Sequence, residues 1–157
     1  MMCQPKKLLF VCHGNICRSP MAEFVMKDML AKAGRDDVVV ESAALHTDEI
    51  GNDMHYGAKR ELLRHGIAFS PRRAWLLSSA KLQEYDLVVG MDGANMRDLR
   101  RLAGPAGASK LRRLLDFAGI DRDVDDPWYT GDFAATYADV VAGCSALLRK
   151  VNDGGAP

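Results

Sequence analysis

Cys12, His13, Gly14, Asn15, Ile16, Cys17 and Arg18 are consecutive, and they close an apolar run, LLFVC. The pattern is Cys-x5-Arg, followed at once by Ser19-Pro20. A loop that wraps toward a helix N-terminus aims several backbone N–H groups into one concavity. Gly14 permits positive φ, and Asn15 tolerates it. Arg18 ends in a planar fork that fits two oxygens of a tetrahedral dianion. Cys12 would lie at the base of that cradle. Helix N-termini and nearby cations lower a cysteine pKa from about 8.5 to roughly 3.5–7.5. Such a thiolate is a nucleophile toward phosphorus. Ser19 can donate a hydrogen bond to the sulfur, cap the helix, or do both.

Three simpler readings compete. A cysteine at a strand end is often just buried. Cys12 and Cys17 could bind zinc, but no second Cys/His pair with suitable spacing stands nearby. A lone Arg18 would be a surface cation. Together, an apolar strand, Cys-x5-Arg and a Ser-Pro helix start favour the reaction centre.

A thiolate attacking a phosphate monoester needs a proton donor for the leaving oxygen. Asp126, in DRDVDDPWYTGDF, is the candidate. Pro127 fixes the turn after it. Asp121, Asp123 and Asp125 crowd it with like charge, which raises the pKa of an acid. Trp128 and Tyr129 offer flat apolar walls for an aromatic ring. The competing reading of this segment is a solvated acidic turn with aromatics packed beneath it.

These groups must be positioned by the elements around them. Lys7 to Cys12 reads as a buried strand ended by His-Gly-Asn. A helix starts at Ser19-Pro20, with Ser19 as N-cap, and Gly34 stops it. Val38 to Ala43 and Tyr85 to Met91 read as strands, and Lys110 to Phe117 as a fourth. Met54 to His65 and Asp92 to Leu102 read as helices, with a loop at 104–107. Phe133 to Val151 is a long last helix. Strands alternating with helices predict a doubly wound α/β fold, a four-stranded parallel sheet with helices on both faces. Ligands of such sheets bind beyond the carboxyl ends of the strands.

The chain has 157 residues, 48% hydrophobic and 27% charged, which fits one globular domain to residue 151 and a flexible tail at 152–157. Lys plus Arg and Asp plus Glu both number 21. That balance argues against a general nucleic-acid binder. No apolar run approaches the roughly 20 residues of a membrane span. Cys3, Cys12, Cys17 and Cys144 are too few and scattered for a disulfide framework, so a cytoplasmic location is expected. His13, His46, His55 and His65 lack metal-ligand spacing and read as structural.

These residues resemble the low-molecular-weight protein tyrosine phosphatases. The likeness runs from LLFVCHGNICRSPMAE through SAALHTDEIGN and YDLVVGMDGANMRDLRRL to DDPWYTGDF and the last helix. It implies hydrolysis of phosphotyrosine in proteins, and of small aryl phosphates, in two steps. Cys12 forms a phosphocysteine while Arg18 and the amides of residues 13–18 hold the phosphoryl oxygens. Asp126 protonates the leaving phenolate and then activates water. Asn15 holds the loop shape, with Ser42 as its partner and Ser19 in support. The pocket for the ring would involve Ile16, Asp48, Trp128 and Tyr129. No metal or cofactor is implied, because Arg18 and the amides do that work. The partners implied are a phosphotyrosine protein and a phosphate or similar oxyanion, with the enzyme a monomer. A cysteine at the place of Cys17 can form a reversible disulfide with the nucleophile.

Two departures stand out. Relatives often carry an aromatic residue where this chain has Asp48, which implies weaker ring stacking and a bias against acidic peptides. They often carry histidine where this chain has Pro71. A supporting contact to the loop would be lost unless Arg72 or Arg73 replaces it. Other activities of the same fold are arginine dephosphorylation and arsenate reduction. The first tends to place threonine where Ile16 stands, and the second needs relay cysteines absent between Cys17 and Cys144. A phosphotyrosine-binding module without catalysis is the third alternative.

Overall fold

The computed structural model describes residues 5–153. In chain order the elements are β1 (Lys7–Cys12), α1 (Arg18–Lys32), β2 (Val39–Ala44), α2 (Tyr56–Arg64), α3 (Ser79–Leu82) and β3 (Leu87–Gly90). They continue with α4 (Gly93–Gly107), β4 (Leu111–Arg113), α5 (Pro127–Thr130) and α6 (Phe133–Asn152). The four strands form one parallel sheet in the order β2-β1-β3-β4. The doubly wound fold is as expected.

The apolar run of β1 is continuous because the strand is covered on both faces. Successive side chains point to opposite faces. Leu8, Phe10 and Cys12 enter the core shared with α1 and α6, and Leu9 and Val11 enter a second core with Leu82 and Leu99. All five residues from Leu8 to Cys12 are buried. Each large apolar side chain so buried contributes roughly 1.5–3 kcal/mol. The chain leaves β1 toward β2 on one side and later returns to β3 on the other. The loop after β1 therefore stands at the switch point of the sheet, where ligands of this architecture bind.

Several element bounds differ from expectation. The fourth strand is only Leu111–Arg113, and a 3-10 helix, Leu114–Ala118, takes up the rest of the apolar segment against α6. The loop expected at 104–107 is instead a kinked continuation of α4. Gly104 takes φ 67° and Pro105 restarts the helix; proline's fixed φ suits a first helical position but not a helix interior. Helix α2 begins at Tyr56 because His55 caps it, its Nδ1 accepting from the Gly57 amide at 3.0 Å. Helix α6 runs to Asn152, whose Oδ1 accepts from Arg35 Nη1 at 2.8 Å. Cys3 and residues 154–157 of the expected tail lie outside the described residues.

Candidate active site

Cys12 ends β1 and is 3% exposed. Helix α1 starts at Arg18, and no side chain caps it. That corrects the expectation for Ser19, which lies inside the first turn. Its hydroxyl is instead 3.1 Å from Cys12 Sγ, and its amide donates to the same sulfur at 3.5 Å. The uncapped first turn leaves orphan N–H groups and the positive end of the helix dipole for an anion. A serine cap would have consumed that capacity.

Behind the loop lies a directed set of hydrogen bonds. Asn15 Nδ2 donates to Ser19 Oγ at 2.8 Å and to Ser42 Oγ at 3.0 Å. Ser42 in turn donates to Glu23 Oε1 at 2.6 Å. Ser19 accepts from Asn15, so its own proton is free for the sulfur. Asn15 Oδ1 accepts from Arg72 Nη2. Of the two arginines after Pro71, Arg72 is therefore the one that supports the loop, while Arg73 is exposed. Asn15, at φ 60°, is the left-handed residue of the loop. Gly14 does not take a positive φ; it supplies space, because a Cβ there would stand 3.3 Å from Glu49 Cγ. Asn15 is fully buried and does not line the cavity, so its side chain acts from behind.

Arg18 is 2% exposed. Its Nη1 donates to Asp92 Oδ2 at 2.7 Å and to the Val124 carbonyl at 2.9 Å. Its Nη2 stands 3.5 Å from Asp126 Oδ2. Its Nε is buried without a protein partner. Burial opposes the charge, but Cys12, Asp92 and Asp126 outweigh it and raise the pKa of the guanidinium. Asp92, which caps α4 through Asn95, was not found by sequence reasoning. Its only local signal is its place directly after β3, at the sheet's ligand-binding edge.

Asp126 caps α5, its Oδ1 accepting from the Trp128 amide at 3.1 Å. Its acidic neighbours do not simply crowd it. Arg113 takes Asp121 and Asp123 at 2.7 and 3.2 Å, so their charge is compensated locally. Cys17 is buried beside the nucleophile. Burial first, then the Cys12 charge, pushes its thiol up to about 12. Burial thus favours the thiol form of Cys17.

These pieces surround one cavity of about 120 Å³. The loop residues Cys12, His13, Gly14, Ile16, Cys17 and Arg18 line it, and so do Asp48, Asp126, Trp128 and Tyr129. Glu49 also lines it, without having been singled out from sequence. Ser19 and Ser42 sit behind the loop. A cysteine sulfur, a buried guanidinium with a free donor, uncapped helix amides and a carboxyl group thus converge on a space fit for a phosphoryl group.

The family model for low molecular weight phosphotyrosine protein phosphatase matches residues 7–155. The chain belongs to that family. A protein of Bacillus subtilis named low molecular weight protein-tyrosine-phosphatase YfkJ is 40% identical over 147 residues, 92% of this chain and 94% of that one. Low molecular weight phosphotyrosine protein phosphatase 1 of Drosophila melanogaster is 37% identical, covering 92% of this chain and 96% of that one. The crystal structure of Bacillus subtilis YfkJ superposes with a TM-score of 0.90, covering 98% of this chain and 96% of that one at 38% identity. A phosphatase family placed on this fold accounts for a sheet-edge cavity built around a cysteine and an arginine.

Proposed function

We propose that this protein hydrolyses phosphotyrosine in proteins, and small aryl phosphates, through a phosphocysteine intermediate. The observation that carries the reading is that one guanidinium, Arg18, joins the loop of Cys12 to the loop of Asp126. Phosphate held by Arg18 and the loop amides lies over the Cys12 sulfur. The thiolate forms the S–P bond as the P–O bond to the phenol breaks, and Asp126 gives the phenolate its proton. The same carboxylate then takes a proton from water, which attacks phosphorus and releases Cys12 and phosphate. Positive groups aimed at the equatorial oxygens stabilise the charge of the transition state.

Family membership supports the substrate, and the buried, protonated Cys17 supports a second role as resolving thiol for an oxidised Cys12. The free thiols of Cys12, Cys17 and Cys144 support a cytoplasmic enzyme. No helix among the described residues is long and apolar enough to cross a membrane. A monomer fits a cavity whose lining residues all come from one chain.

The test is turnover of p-nitrophenyl phosphate and of a phosphotyrosine peptide in EDTA. Full activity with chelator is expected, together with loss in Cys12→Ser. Activity that vanishes on chelation, or that survives Cys12→Ser, overturns the reading.

A further inference from the structure

The mouth of the cavity carries a side-chain chain that the reaction above does not use. His13 and His46 stack with ring centroids 4.2 Å apart and planes 18° from parallel. His13 Nε2 donates to Asp48 Oδ2 at 2.9 Å. His46 Nε2 donates to Asp98 Oδ2, also at 2.9 Å. The backbone joins the same segments: the His46 amide donates to the His13 carbonyl at 3.0 Å. Asp98 is on α4, 16% exposed, and also pairs with Arg101. The order Asp48, His13, His46, Asp98 therefore links the nucleophile loop, the segment after β2, and the helix capped by Asp92.

The arrangement fixes an imidazole plane. A stacked neighbour covers one face of His13, and a carboxylate holds its edge. His13 lines the cavity with half of its side chain still exposed, whereas His46 and Asp98 do not line it. The carboxylates of Asp48 and Glu49 are poor neighbours for the negative face of an aromatic ring. Asp48 is occupied by His13, which also keeps its carboxyl group below the usual range. An imidazole face has no such conflict with a ring.

We infer that His13 is the ring-binding wall of this pocket, together with Trp128, and that His46 and Asp98 are positioning residues that set its plane. The inference rests on the aryl-phosphatase reading and names the group that selects the ring. The aromatic wall missing at position 48 is thereby supplied from position 13, with Asp48 as its brace.

The probes are benzylphosphonate and methylphosphonate as competitive inhibitors. They share the phosphonate and differ in the ring, so the ratio of their inhibition constants isolates ring binding. His13→Ala should reduce the preference for benzylphosphonate about fivefold to tenfold, the range of one aromatic contact. His13→Phe should restore it. His46→Ala should give a smaller loss of the same ratio, and His46→Phe, which keeps a flat neighbour, should not. In a double-mutant cycle, His13→Ala and Asp98→Ala should be non-additive in that ratio. An unchanged ratio in His13→Ala, or equal loss of both inhibitors across the series, overturns the inference. A wild-type protein that turns over p-nitrophenyl phosphate while showing either outcome fails only here; one with no turnover fails the proposed function.

Discussion

Arg18 and Asp92 are 74 residues apart in sequence, and their side chains meet at 2.7 Å. The contact orients a nearly buried guanidinium by its Nη1, leaving Nε unpartnered. Asp92 is also the cap of α4. One carboxylate thus ties Arg18 of the cysteine loop to the helix on the other face of the sheet.

Asp92→Asn keeps an oxygen for the cap and removes the charge that anchors Arg18. We expect kcat/KM for p-nitrophenyl phosphate to fall about 10- to 100-fold, the scale of a misplaced binding group. The thermal midpoint should move little, because the capping acceptor survives. Steady-state kinetics beside a melting curve checks both. An unaltered kcat/KM would show that Val124 and Asp126 orient Arg18 alone.

Asp126→Asn should slow the reaction by leaving group. General acid catalysis is worth about 10²–10⁴-fold, and it matters most where the leaving oxygen is basic. Phenyl phosphate should therefore lose far more rate than a nitrophenyl ester. A series of substituted phenyl phosphates gives the dependence directly. Equal slowing across the series would remove Asp126 from the acid role.

Peroxide should inactivate the protein by oxidising Cys12, with Cys17 closing a disulfide that thiols reverse. The roles follow from protonation: Cys17 is held up to about 12 by burial and by the Cys12 charge, so it waits as a thiol. Cys17→Ser should lose activity at a similar rate and recover much less on thiol treatment. Recovery equal to wild type would remove Cys17 from the protective role.

Stability should fall on the alkaline side. Unfolded thiols titrate near about 8.5. In the folded protein burial raises Cys17 to about 12 and raises Cys144 further, the latter through burial alone. Between these limits the unfolded chain has released protons that the folded chain keeps. Folding stability then drops as pH rises, by roughly 1.4 kcal/mol per unit for each such thiol, and is fully present below the unfolded value. Urea midpoints at pH 8 and pH 10 read this slope. Cys144→Ala should flatten it, and an identical slope would contradict the linkage.

What the sequence determined by itself is what contiguous backbone can build. The β1 strand, the anion loop and the start of α1 form one unbroken stretch, so Cys-x5-Arg before Ser-Pro already implies a cradle, a nucleophile and a fork. Alternation of strands and helices implied the doubly wound sheet. Asp126 was legible because a turn proline and two aromatics mark its surroundings, and Ser42 was named as the partner of Asn15 through the family resemblance. The tertiary structure decided which distant groups meet these ones. The sheet order β2-β1-β3-β4 brings the segments after β1, β2 and β3 to one edge. Only there do Asp92 reach Arg18, Arg72 reach Asn15, and His46 stack on His13. No spacing in the chain encodes those meetings. It also decided between the two uses open to Ser19: the hydroxyl turns inward to sulfur because Asn15 holds its oxygen, leaving the helix end bare for an anion.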